Sequence, residues 1–200
     1  MVGSTDTVAK VAAALFHAGD AASLRAAIEI ARMQSGGGVP PSMSNVRRHL
    51  EALEQSTSGE ASWALARLQR LDVIAELMRT LAFLEPNGVC YVVGRAAEGF
   101  VDDTAPAHVR LVGGHAAAVV VDALESHGFP PCEVSSLSTR LGSVAVAHLD
   151  AGAAQVDLMM LASAPAAHAA VNVVDGRPVA LVDEAGFAKL IDEARGDAVR

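Results

Sequence analysis

A glycine pair, two isolated carboxylates, a histidine and an arginine carry most of the chemical possibilities of this sequence. Gly113 and Gly114 close the apolar run "HVRLV" and precede the alanine-rich stretch "HAAAVVVDALES". A strand, two glycines and a helix in that order offer backbone N–H groups to a phosphate, and equally make a plain tight turn. His115 follows the glycines at the helix amino terminus, where a polar side chain can meet an anion. Asp157 sits in "QVDLMM" between apolar neighbours; a carboxylate there either serves a site or faces solvent on an edge strand. Glu133 follows Pro130 and Pro131 and opens "EVSSL", and Ser138 and Arg140 lie just beyond, in a serine-rich stretch from which either could touch phosphate.

These residues must be positioned by two regions of different periodicity. From Val8 to about Leu84 apolar residues recur at three and four, as in Val8, Val11, Ala12, Leu15 and in Leu24, Ala27, Ile28, Ala31, which is the helical period. Asp20 and Ser23 are both placed to cap the second helix, and Ser44 to cap a third, "NVRRHLEALEQ", with Val46, Leu50 and Leu53 as its apolar stripe. A long fourth helix runs from about Ala61 to Leu84 and stops at "EPNG". Beyond Gly88 come short valine-rich runs bounded by glycine, proline or polar turns: "VCYVVG", "HVRLVGG", "CEVSSL", "VAVAHLD", "QVDLMMLA" and "PVALVD". The fourth and fifth read as a hairpin turning at Gly152. Helices are expected over Ala116 to His127 and, capped by Asp183, over Glu184 to Arg195. The fold class expected is α+β, with a helical region over 1–86 and a mixed-sheet α/β domain of about five strands over 87–200.

Composition narrows the function classes. A hydrophobic fraction of 52% is far from disorder, and a formal charge of -8 argues against a general nucleic-acid coat. The start "MVGSTDTVAK" lacks a secretory pattern and no apolar run approaches the roughly 20 residues of a membrane span, so a cytoplasmic protein without a membrane partner is expected. Cys90 and Cys132 stand without paired spacing or adjacent histidines and read as buried or idle thiols. The seven histidines show no i, i+4 pair, and no G-x-S-x-G stretch supports a serine hydrolase.

The order of features (helices first, strand-GG-helix, a strand with a carboxylate, then a hairpin whose second strand reads "QVDLM") resembles the nucleotidyltransferase superfamily of polymerase-beta-like fold, over Val89 to Arg195. In that family a strand ending in Gly-Gly or Gly-Ser leads into a helix, two acids one residue apart follow on the next strand, and a third acid comes from a later strand. Alternate residues of a strand share a face, so an i, i+2 acid pair can hold magnesium. The resemblance implies Gly113 and Gly114 on the triphosphate of a nucleoside triphosphate, and His115 and Arg140, by their own chemistry, are the further candidates for phosphate contact. It further implies Glu133 and Asp157 as the catalytic acids on Mg2+, and transfer of the nucleotide to an unknown acceptor. Ser135 stands where the second acid of the pair is expected, so the resemblance equally fits a protein that keeps the fold, has lost the activity, and binds or regulates a DNA or protein partner. Asp102 and Asp103 lie upstream without a spacing that assigns them to the site. In the front half, "PPSMSNVRRHLEALEQ" resembles the recognition helix of a winged helix-turn-helix domain, which would turn Arg47, Arg48 and His49 to DNA; a solvated helix face is the other reading.

Overall fold

The computed structural model describes residues 4–198. The chain forms two compact units, Met1–Trp63 and Ala64–Arg200. The first holds α1 (Thr5–His17), α2 (Leu24–Gln34) and α3 (Met43–Ser58). Each begins at a serine whose hydroxyl accepts a first-turn N–H: Ser4 from Thr7, Ser23 from Ala26 and Ser42 from Asn45. The expected cap Ser44 therefore lies inside α3, two residues past the real one; Ser42 follows Pro40 and Pro41, which hold the entering chain extended. Val8, Ala12, Ala27, Ala31, Val46 and Leu50 are buried in one core, where the alanines let the helix backbones approach closely.

The second unit begins within α4 (Glu60–Leu84). Leu71, Ile74, Leu77, Met78 and Leu81 recur at three and four and lie in the core of the sheet. For this reason the units divide at Trp63 and Ala64 rather than at residue 86, where the sequence period changes. The strands are β1 (Val89–Val93), β2 (Ala107–Gly113), β3 (Glu133–Thr139), β4 (Gly142–Asp150), β5 (Gln155–Ala162) and β6 (Leu181–Asp183), in spatial order β3-β4-β5-β2-β1-β6. Between β2 and β3 runs α5 (Ala117–Ser126), and α6 (Glu184–Ala198) closes the chain, with Asp183 accepting the Gly186 N–H at 2.8 Å. Only the β2–β5 pair is parallel among the ladders of the described residues.

The α+β class is as expected, and the sheet's two faces differ. One packs Val92, Val109, Leu111, Val156 and Leu158 against α4, α5 and α6. The other is partly covered by the segment 163–180, which brings Ala167 and Val173 onto Val112, Val144 and Leu161. Arg110 pins that segment: its buried guanidinium donates to the carbonyls of Ala167, Ala169 and Val171 at 2.9, 3.0 and 2.9 Å. Tyr91 Oη and His168 Nδ1 add a contact at 3.0 Å. Among the described residues, no helix is long and apolar enough to cross a membrane.

Candidate functional site

Strand register brings polar side chains into one row on the face that segment 163–180 leaves partly open. Gly152, at φ 75°, turns the β4–β5 hairpin so that Asp150 faces Gln155 and, one same-face step inward, His148 faces Asp157. The parallel β2–β5 ladder sets His108 on the other side of Asp157, and β3 places Glu133 opposite His148. Directly opposed residues share a face, so Glu133, His148, Asp157 and His108 form a line across four strands.

Within the row the contacts form a chain. Ser135 Oγ lies 2.8 Å from His148 Nε2, and His148 Nδ1 lies 2.7 Å from Asp157 Oδ1. Asp157 Oδ2 faces His108 Nδ1 at 3.5 Å. An imidazole Nδ1–H donating to the carboxylate leaves Nε2 as the acceptor of the serine hydroxyl. The Asp157 side chain is 24% exposed, less than either flanking imidazole. Beside the row lies a cavity of about 180 Å3, walled by Leu137, Val146, Met159 and Val173, with His108 and Asp157 of the row, Arg110 and Asn172 as its polar lining.

The residues anticipated from the sequence are not gathered in one place. Glu133 and Asp157 lie two strands apart, about 10 Å at ~4.8 Å per strand, with His148 between them. Gly113 and Gly114 are at the far end of β2, five residues beyond His108, or about 17 Å at ~3.3 Å per residue. Their neighbourhood already holds an anion: Glu85, 7% exposed, accepts the Gly114 and His115 N–H groups at 3.3 and 3.1 Å and contacts His115 Nδ1. The hydrogen bond from His115 holds the Glu85 carboxyl below its ordinary pKa, against the opposing effect of burial. Arg140 sits in the β3–β4 turn, where its N–H donates to Val173 O at 2.8 Å and its guanidinium lies against Gly176. Asp102 is paired with Arg95 at 2.9 Å and bonds Thr104 within its own loop. In the first unit, Arg48 and His49 both turn to Asp6 of α1, at 3.3 and 2.8 Å.

Sequence reasoning did not find His108, His148, Glu85 or Arg110 as partners of this chemistry. One signal was available: a hairpin turning at Gly152 puts positions whose numbers add to a constant face to face, which pairs His148 with Asp157. The parallel neighbour His108 lies a helix and a hairpin away in sequence and gives no such signal.

The donor set does not fit magnesium. Mg2+ requires hard oxygen ligands in near-octahedral array, whereas Asp157 is flanked by imidazoles, with Arg110 next on the same face of β2. Among the described residues, no group of three or more His, Cys, Asp or Glu could hold a metal ion. Compared with known proteins, the chain matches no family model, no curated protein and no solved structure.

Proposed function

We propose that the chain is a nucleotidyltransferase-like module that does not perform magnesium-dependent nucleotide transfer and serves as a binding or regulatory module. The observation that carries this reading is the separation of the acids: Ser135 stands where the second acid of the pair is expected, and Glu133 and Asp157 lie two strands apart with His148 between them. With one acid of the expected pair absent and Glu133 held away from Asp157, the hard oxygen set that magnesium needs is incomplete.

A protein partner is favoured over duplex DNA. The net charge is -8, and Arg48 and His49 are engaged by Asp6. Met33, Val39 and Met43, around the α2–α3 connection, are 72%, 76% and 38% exposed, which suits an apolar contact. Calorimetric titration with ATP, GTP, CTP and UTP, each with and without magnesium, tests the reading. The expected result is no magnesium-dependent heat with any nucleotide. Magnesium-dependent binding that disappears in Asp157→Ala would overturn it.

A further inference from the structure

We infer that Ser135 is a nucleophile activated by His148, with Asp157 as the positioning residue, and that it accepts an acyl group of a few carbons from an ester. This adds an activity to the binding or regulatory reading and stands on separate observations: the lack of a G-x-S-x-G stretch removes only a nucleophile elbow, whereas Ser135 lies on the edge strand β3. Nucleophilic catalysis by a hydroxyl needs a base within hydrogen-bond reach and a third group that fixes the base. Ser135 Oγ to His148 Nε2 is 2.8 Å, and His148 Nδ1 to Asp157 Oδ1 is 2.7 Å. All three residues stand on strands β3, β4 and β5, a rigid platform for such a relay.

The surroundings supply a place for the acyl group. Val146, directly opposite Ser135, and Leu137, the next same-face residue of β3, both line the cavity of about 180 Å3. Its walls are mainly apolar and its volume is below that of sites for drug-sized ligands, which selects a short acyl chain. Ser135 is exposed, so a substrate reaches it without movement of the chain. β3 is an edge strand, and edge strands present outward-facing unpaired N–H groups, the type of donor that stabilises an oxyanion.

The chemistry balances with water as the second reactant. The Oγ–H proton passes to His148 Nε2 as Oγ bonds the acyl carbon, and the ester C–O bond then breaks, with the alcohol leaving on the proton returned by His148. Water, deprotonated by the same nitrogen, attacks the acyl-serine; the carboxylic acid leaves and Ser135 regains its proton.

The test uses the full-length protein and an alkyl fluorophosphonate carrying a fluorophore, in which Oγ displaces fluoride. The expected adduct maps to Ser135 by peptide mass spectrometry and is absent in Ser135→Ala. His148→Gln slows labelling by about 100-fold or more, the scale of a lost general base. Asp157→Asn slows it by about 10-fold or more, and Asp157→Glu, which keeps a carboxylate for Nδ1–H, recovers much of the rate. Circular dichroism confirms that each variant is folded. No adduct on Ser135, equal adducts on Ser136 and Ser138, or an unchanged rate in folded His148→Gln would overturn the inference. Nucleotide heats and serine labelling are separate readouts, so either reading can fail alone.

Discussion

Replacing Glu85 by alanine should destabilise the sheet unit by more than any ordinary surface change. Glu85 Oε2 accepts the N–H groups of Gly114 and His115 and contacts His115 Nδ1, in a site where the residue is 7% exposed. Each hydrogen bond to a buried charge contributes about 1.5–3 kcal/mol, but a cavity of about 210 Å3 beside the pair lets water take over part of the role. A net loss of about 2–4 kcal/mol follows, or about 8–16 °C in melting temperature at ~4 °C per kcal/mol for a unit of this size. Tyr91, the one tyrosine, lies in β1, so its near-ultraviolet signal follows this unit alone. The acid limb is a second readout. Because the native carboxyl titrates below its ordinary value of about 4.3, the stability it contributes is full above that pH and is lost as pH falls through the lower native value. Glu85→Gln should remove that part of the acid sensitivity. A Cβ at Gly113 would lie 2.6 Å from Glu85 Cγ, so Gly113→Ala should cost about 1–3 kcal/mol in the native background and much less in Glu85→Ala. If Glu85→Ala and Glu85→Gln both melt with the parent protein and keep its acid limb, the Gly114 and His115 amides are not held by this carboxylate.

Arg110→Met should cost about 3–4 kcal/mol in urea unfolding and open segment 163–180 to proteolysis, since three carbonyls lose their donor. Arg110→Lys should not restore either property, because a single ammonium cannot reproduce the guanidinium fork; equal protease resistance in all three proteins would show that the segment is held by other contacts. Burial pushes the Cys90 thiol up to about 12 and also raises that of half-buried Cys132. At pH 8 a disulfide reagent should therefore modify Cys132 slowly and Cys90 only after unfolding, and rapid reaction of Cys90 in the folded protein would contradict its place in the core.

Periodicity made the elements legible, because helices and strands each bury one face and the spacing of apolar residues records it. Ser23 and Asp183 were readable as caps for the same local reason. What the sequence left obscure was long-range. The stripe of α4 reads equally well as part of a helical bundle, and only the sheet shows that it belongs to the second unit. The glycine pair has the local chemistry of an anion cradle, and the N–H groups of Gly114 and His115 do hold an anion, yet it comes from Glu85, whose position after α4 carries no local mark of that contact. The acids failed to assemble because residues alike in type, Glu133 and Asp157, fell on strands separated by β4.

The order β4-β5-β2 makes Asp157 the residue shared by both candidate chemistries. Asp157 is the middle residue of its row, with one oxygen toward His148 and the other toward His108. A metal approaching that carboxylate would have to displace imidazoles on both sides, whereas a role in orienting His148 uses the arrangement as it stands. Removing Asp157 therefore damages both candidate chemistries: it deletes the remaining acid a metal would need, and it releases the imidazole a serine would need. Ser135→Ala is the cleaner discriminator, because it leaves Asp157, His108 and His148 in place and removes only the hydroxyl at the end of the chain. If nucleotide heats are absent in both proteins and serine labelling is present only in the parent, the row is a proton relay. If magnesium-dependent nucleotide heats appear, survive Ser135→Ala and vanish in Asp157→Ala, the acid acts on a metal despite its neighbours.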